Sequence, residues 1–261
     1  MDYLVVALVA LFASGLTFFS GFGLGTLLMP AFALLMPLPS AIAATAIVHL
    51  LNNLFKLALV GRSANGGVVL RFGLGAAVAA VAGAGALVLF AGLPPVATYE
   101  IHGAAFEATP VKLVIGMLIV VFACLELYPA FGALAVAPKY LVAGGLLSGF
   151  FGGLSGNQGA FRSAFLIKAG LGKKEFIATG VVCAVIVDVV RLSVYGVSSR
   201  ATGFMGLGGN HTGLIVTAVV FAFAGAFVGA RLLDKLTLGF VRTVVALSMI
   251  AIGAGLAAGL V

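Results

Sequence analysis

Long apolar stretches separated by short polar segments run through the whole chain. Apolar residues dominate the ranges 3–19, 24–37, 40–60, 68–92, 111–128, 139–153, 157–169, 174–196, 212–231 and 240–260. Several of these runs exceed the roughly 18 apolar residues that indicate a helix spanning a bilayer. The pattern therefore predicts an all-α, polytopic membrane protein.

Composition supports this class and leaves no room for a separate soluble domain. Hydrophobic residues make up 63% and charged residues 8% of the 261-residue chain, whereas soluble domains are about 25% charged. We predict one membrane domain over residues 1–261. The net charge of +7 predicts no nucleic-acid partner, because the cations lie mostly in short loops where they determine topology.

Two apolar ranges, 24–37 and 157–169, are too short to cross a bilayer. At 1.5 Å per residue each reaches about 20 Å, against a hydrocarbon core of about 30 Å. Glycines that interrupt the helical pattern precede both ranges. We therefore predict two glycine-broken, re-entrant hairpins, whose broken backbone must be satisfied by protein or by a water-filled cavity.

The loop charges predict the orientation. Lys and Arg cluster around 62–71, 168–174 and 231–242, whereas 93–110 has none and 197–211 has one. The basic loops are expected in the cytoplasm and the other two outside. Both termini are then periplasmic, and the two halves of the chain enter the membrane from opposite sides.

Opposite entry is typical of an inverted repeat, with repeat one at 1–135 and repeat two at 136–261. Each repeat would comprise a re-entrant hairpin and three transmembrane helices. The matching positions are Ser20-Gly21-Phe22 with Ser148-Gly149-Phe150, Ala44-Thr45 with Ala178-Thr179, and Asn53, Lys56 and Gly61 with Asp188, Arg191 and Gly196. Glycine-interrupted segments in corresponding places indicate the binding site of a transporter.

Polar residues occupy one face of two apolar helices. The residues share helical spacings of three and four: His49, Asn52, Asn53 and Lys56 on one helix, and Asp188, Arg191 and Tyr195 on the other. An intramembrane charge costs roughly 2.5–3.5 kcal/mol on insertion scales, so it faces a cavity or a partner.

Each of these polar residues also has a purely structural interpretation. Asp188 and Arg191 form either an i, i+3 ion pair that packs the bundle or part of a site, and the two do not exclude each other. Lys56 lies near a cytoplasmic helix end, from which it would snorkel to the headgroups. His49 is a candidate proton carrier, although a lone membrane histidine is more often a hydrogen-bonded packing residue.

The second glycine break has the groups of an anion site. Ser155, Gly156, Asn157 and Gln158 offer donors at a helix N-terminus, which binds anions without a formal charge. Arg162 follows one turn later, and arginine binds oxyanions through two parallel hydrogen bonds. Its alternative role is a positive-inside anchor. In the first half, Ser20, Gly21 and Gly23 are expected to provide the facing break.

Three motifs resemble the TauE/SafE-type sulfite exporter family, also called the toluene sulfonate uptake permeases. They are SGFFGGLSGNQGAFRSAFLIKAGL at 148–171, ATGVVCAVIVDVVRLSVYG at 178–196 and VHLLNNLFKLALVGR at 48–62. The resemblance covers nearly the whole chain. It implies transport of sulfur-containing anions, such as sulfite or organosulfonates, across the bacterial inner membrane, and leaves the individual substrate undefined.

These observations together predict a secondary transporter that holds its anion near the midplane between the two breaks. An anion channel and a non-catalytic membrane subunit are the alternatives. No paired carboxylates, catalytic triad or metal-ligand spacing is present, so we expect no enzyme, cofactor or metal site. A homodimer and a coupling ion, proton or sodium, remain open.

Overall fold

A computed structural model describes residues 1–20, 24–128, 135–202, 209–232 and 238–260. The helices are α1 Asp2–Ser20, α2 Leu24–Ala33, α3 Leu38–Val60, α4 Gly66–Ala91, α5 Pro110–Leu127, α6 Leu141–Ser155, α7 Gly159–Leu166, α8 Lys173–Thr202, α9 Gly209–Leu232 and α10 Leu238–Ala257. Short 3-10 turns occupy Gly61–Ser63 and Pro138–Tyr140.

Four helical stretches are long and apolar enough to cross a membrane among the residues described. They are Leu38–Ser63, Gly66–Ala91, Lys173–Arg200 and His211–Gly229. Shorter apolar helices cover Asp2–Gly15, Pro110–Leu125 and Ala246–Ala257. This architecture confirms the prediction of a polytopic, helical membrane protein.

A β-hairpin between α4 and α5 is the one departure from helix among the described elements. Strands β1, Ala97–Ile101, and β2, Ala104–Ala108, pair antiparallel. They are joined by His102 and Gly103 at φ 51° and 81°, as a two-residue hairpin turn requires. The sequence pattern indicated only a loop at 93–110, because each strand is five residues long and largely exposed.

Close backbone contact at glycine holds the main helix pairs together. A Cβ added at Gly83 of α4 would lie 2.0 Å from the carbonyl oxygen of Phe150 in α6. One added at Gly225 of α9 would lie 2.2 Å from the oxygen of Leu11 in α1. Any larger side chain would separate these helices, and small residues allow such approach where lipid supplies little hydrophobic driving force.

The second glycine break is present and lies between α6 and α7. Helix α6 ends at Ser155 and is capped by Gly156, whose φ of +83° is a left-handed conformation that favours glycine. The Ser148 hydroxyl of α6 donates to the Gln158 carbonyl at 2.8 Å, and this bond holds the non-helical segment 156–158 against α6. In the first half, α1 ends at Ser20 and α2 begins at Leu24, and the expected break at Gly21 and Gly23 lies outside the described residues.

The connection between α3 and α4 is fastened to the start of α8. The Asn65 side chain caps α4 by accepting from Val68 N at 3.0 Å. Its amide nitrogen donates to Glu175 Oε1 at 2.7 Å, and its backbone N–H donates to Thr179 Oγ1 at 2.9 Å. These bonds fix α3 beside α8, the two helices on which the predicted polar faces lie.

Candidate functional site

The predicted polar residues are enclosed by the helix bundle. Those whose side chains are described and buried are His49, Asn52, Asn53, Lys56, Ser155, Asn157, Gln158, Arg162, Asp188 and Arg191. They come from α3 and α8, from the end of α6, from the break that follows it, and from α7. Of Ser20 only its position at the end of α1 is described, and Gly21 and Gly23 lie outside the described part of the chain.

The Asp188 carboxylate joins three elements. Its Oδ1 accepts from Arg191 Nε at 3.1 Å and from Gln158 Nε2 at 3.3 Å, and lies 2.8 Å from Arg191 Nη2. Its Oδ2 lies 2.7 Å from His49 Nδ1 and accepts from Asn53 Nδ2 at 3.1 Å. We call these five residues the Asp188 cluster.

The predicted i, i+3 ion pair of Asp188 and Arg191 is therefore present, but it is not self-contained. A carboxylate that is 0% exposed has lost its hydration, and a buried ion pair stays favourable only with further hydrogen bonds to its remaining lone pairs. His49, Asn53 and Gln158 provide those bonds from α3 and from the break. The cluster consequently connects both halves of the chain.

Asn52 and Lys56 lie apart from this cluster, toward α1 and α9. When the Asn52 amide oxygen faces Lys56, it accepts from Lys56 Nζ at 3.3 Å and from Ser14 Oγ at 3.3 Å. The amide nitrogen then donates to the carbonyl of Ala222 at 3.3 Å. Lys56 is 5% exposed, so it points into protein, and the snorkelling interpretation is wrong.

Arg162 is likewise interior. It is 4% exposed, and its Nη1 donates to Gln158 Oε1 at 3.1 Å. Its Nε lies 3.5 Å from the place where a Cβ on Gly180 would stand, so the guanidinium packs against α8. A side chain enclosed in this way does not reach headgroups, which argues against the anchor role.

Several buried side-chain atoms have no hydrogen-bond partner among the described residues. Besides His211 Nδ1, and Arg191 Nη2, which contacts Asp188, they are both amide atoms of Asn157, Nη1 of Arg191 and Oγ1 of Thr45. A buried donor or acceptor without a partner costs about 1–3 kcal/mol. Such groups therefore indicate a place where another molecule, water or ligand, completes the hydrogen bonding.

The groups of Asn157, Arg191 and Thr45 lie where the two hairpins meet. A Cβ on Gly156 would lie 2.7 Å from Arg191 Nη1, so the break backbone lies against the guanidinium. A Cβ on Gly25, at the start of α2, would lie 3.5 Å from the Gly156 carbonyl oxygen and 4.0 Å from Thr45 Cγ2. We call this meeting point of Gly25, Thr45, Gly156, Asn157 and Arg191 the hairpin junction.

Several residues that hydrogen-bond within or beside the site were not predicted as site residues from the sequence. Ser14, Thr45 and Ser148 are buried hydroxyls in apolar helices, and single hydroxyls in such helices are too common to indicate a site. Tyr195 was placed on the polar face, and its hydroxyl donates to the Gly153 carbonyl. Ser155 bonds locally: its hydroxyl donates to Phe151 O at 3.1 Å and accepts from the Asn157 backbone N–H at 3.4 Å.

The described residues contain no group of three His, Cys, Asp or Glu side chains that could hold a metal ion. Cys124 and Cys183 are free thiols.

Comparison with known proteins gives one match. The family model described as "Sulfite exporter TauE/SafE" matches residues 6–256. No curated protein and no solved structure matches the chain.

Proposed function

Since the chain belongs to the sulfite exporter TauE/SafE family, we propose that it is a secondary transporter that moves sulfite or an organosulfonate across the bacterial inner membrane. The family match spans nearly all of the chain and confirms the resemblance seen in its motifs. TauE/SafE proteins are transporters of sulfur-containing anions, and the apolar helices make this chain a multi-pass membrane protein.

The observation that best supports an anion site is the hairpin junction. Arg191 Nη1 and the Asn157 amide offer N–H donors that have no partner within the described ranges, and a sulfite or sulfonate group offers three oxygens that accept. Helix α7 begins at Gly159 directly after the break, and a helix N-terminus adds a partial positive charge. Arginine and helix N–H groups together match the geometry of an oxyanion.

The charge of the buried site also favours an anion. The buried side chains at and beside the junction include the guanidinium groups of Arg162 and Arg191 and one carboxylate, Asp188. Arginine binds oxyanions through charge-assisted hydrogen bonds, so this set of groups suits an anion better than a cation.

Helix boundaries support the inverted repeat. Ser20 and Ser155 each end the first helix of a hairpin, Leu24 and Gly159 each begin the second, and Leu38 and Lys173 begin the next. Subtraction gives a separation of 135 residues for each pair, the same as for Asn53 with Asp188 and for Lys56 with Arg191. This register pairs Ser20 with Ser155, whereas the motif comparison paired it with Ser148, which lies inside α6.

Contacts between equivalent positions support the same symmetry. Asn53 and Asp188 hydrogen-bond to each other, as equivalent residues close to a two-fold axis would. The last helices of the two halves, α5 and α10, also contact each other: a Cβ on Gly116 would lie 2.5 Å from Gly253 O, although these two glycines are 137 residues apart and so lie two positions off the register of 135. Alternating access would then be a rocking of one repeat against the other around the junction.

The proposed topology, with both termini periplasmic, gives a labelling prediction. In a variant with Cys124 and Cys183 replaced by alanine, a cysteine at Thr98 is expected to react with an impermeant maleimide in intact cells, because β1 lies in the 93–110 loop, which has no Lys or Arg. A cysteine at Ser63 is expected to react only after permeabilisation. Both positions are exposed, and the reverse labelling would refute the orientation.

Asn157 provides the sharpest test of the anion site. Asn157→Leu keeps the side-chain size and loses no hydrogen bond within the described residues, so we expect the melting temperature of the purified protein to stay level or rise. Binding of sulfite or ethanesulfonate, measured by thermal stabilisation, is expected to weaken about tenfold.

The control is Ser193→Ala on α8, an exposed residue whose hydroxyl donates to Val189 O of its own helix and which is expected to leave affinity unchanged. If Asn157→Leu destabilises the protein and leaves anion affinity unchanged, Asn157 is a packing residue. If no sulfur oxyanion stabilises the wild-type protein at millimolar concentration, the transporter assignment to this substrate class is wrong.

A further inference from the structure

His49 is the one residue of the Asp188 cluster that can change its charge near neutral pH. It lies on α3, and its ring nitrogen Nδ1 is 2.7 Å from Asp188 Oδ2. The Asp188 carboxylate also receives hydrogen bonds from Arg191, Gln158 and Asn53. Four donors around one carboxylate favour its charged form, so Asp188 is an acceptor and not the group that takes a proton.

This contact determines which nitrogen of His49 has the hydrogen. A carboxylate only accepts hydrogen bonds, so Nδ1 donates to Asp188. Asn53 Nδ2 lies 3.0 Å from the same Nδ1, but a nitrogen that donates in the ring plane does not accept there, and Asn53 donates to Asp188 instead. The neutral ring therefore has its lone pair on Nε2.

The side of the ring away from Asp188 lies beside Gly25 of the hairpin junction. Its atom Cδ2, which is bonded to Nε2, is 3.9 Å from the place of a Cβ on Gly25. The same place lies 3.5 Å from the Gly156 carbonyl oxygen. Protonation at Nε2 would therefore put a positive charge beside the proposed anion position.

The helices packed around the His49 ring contribute the charged groups that act on it. Helix α8 contributes Asp188 and Arg191, and α7 contributes Arg162. Lys56, on α3 itself, lies toward Asn52. Helix α2, whose sequence is LGTLLMPAFA, has no titratable side chain. Arg191 and Arg162 oppose a positive charge on His49, and the Asp188 carboxylate favours it.

We propose that His49 takes up one proton when the anion binds, so that the protein moves the anion and the proton together. The proton comes from water on the side from which the anion enters, bonds to Nε2, and leaves to water with the anion on the other side. With the site empty, imidazolium would add a positive charge beside those of Arg191 and Arg162. A bound anion offsets that charge, and each ligand then raises the affinity for the other.

This inference rests on the proposed anion site and is tested with ethanesulfonate, which stays ionised across the range used. Wild-type affinity is expected to fall as pH rises from about 5 to about 8, by up to tenfold per pH unit. His49→Gln retains an amide donor toward Asp188 and does not titrate, so its affinity is expected to vary little with pH. The control is His102→Asn in the exposed hairpin turn, which should behave as wild type.

A second measurement uses the wild-type protein alone. Adding ethanesulfonate in weakly buffered solution is expected to take up close to one proton per bound anion, followed with a pH indicator. Binding without proton uptake, a pH-independent wild-type affinity, or undiminished pH dependence in His49→Gln would each overturn the proton proposal while the anion site stands. Absence of anion binding at every pH would overturn both.

Discussion

Replacement of Asp188 by asparagine is expected to lower the free energy of unfolding by about 3–5 kcal/mol, the cost of breaking a buried ion pair. The carboxylate is fully buried and receives hydrogen bonds or an ionic contact from Arg191, Gln158, His49 and Asn53. Asparagine has the same shape but no charge, and its amide nitrogen would face donors. Arg191 would then be a buried cation without compensation.

The free energy of unfolding is measured on the protein purified in a mild detergent, by titrating in a denaturing detergent and following the loss of structure. Glu100→Gln removes a carboxylate from the exposed strand β1 and is the matched control, with an expected change within about 0.5 kcal/mol. An equal, small effect of both substitutions would show that the Asp188 cluster contributes little to stability.

A second experiment asks whether stability depends on which residue of the cluster has the negative charge, by moving the carboxylate from one residue to another. Asn53 Nδ2 and Asp188 Oδ2 are 3.1 Å apart, so the double variant Asn53→Asp with Asp188→Asn returns one negative charge to the same cluster. We expect it to recover part of the lost stability. A double variant less stable than Asp188→Asn alone would contradict this account of the cluster and the near-equivalence of the two positions.

Substitution of Arg162 has the largest expected effect on binding. Arg162→Ala is expected to weaken sulfite or sulfonate binding about ten- to a hundredfold, since a charge-assisted hydrogen bond is worth roughly 1.5–3 kcal/mol. Arg162→Lys retains the charge without the planar pair of donors and should lie between. The sequence alone predicts almost no effect on folding, but the bond to Gln158 adds an expected stability loss of about 1 kcal/mol.

Gln158→Ala is the control that separates contact from positioning. It removes the Oε1 acceptor of Arg162 and the bond to Asp188, but leaves the guanidinium. If Arg162 meets the anion, Arg162→Ala weakens binding more than Gln158→Ala does. Equal losses would show that Arg162 acts through Gln158, and wild-type affinity in a folded Arg162→Ala variant would remove it from the site.

The sequence alone was sufficient for the class of the protein and for the residues on its polar faces. Apolar runs determine bilayer helices because no lipid-exposed backbone can remain unpaired. The spacing of His49, Asn53 and Lys56 places them on one helical face whatever the helix packs against. The break near Gly156 was also predictable, since glycine costs helix stability and only glycine readily adopts its backbone angle.

Only the tertiary structure decided how those faces are used. Asp188 bonds to His49 and Asn53, which precede it by more than 130 residues, and local spacing contains no information on such distant pairs. The same packing turns Asn52 and Lys56 toward Ser14 and leaves the Asn157 side chain without a hydrogen-bond partner in the part of the chain that the structure describes. Hydrogen bonds are satisfied by whichever groups the helix packing brings within reach, so the unsatisfied groups that indicate a site emerge only from the assembled bundle.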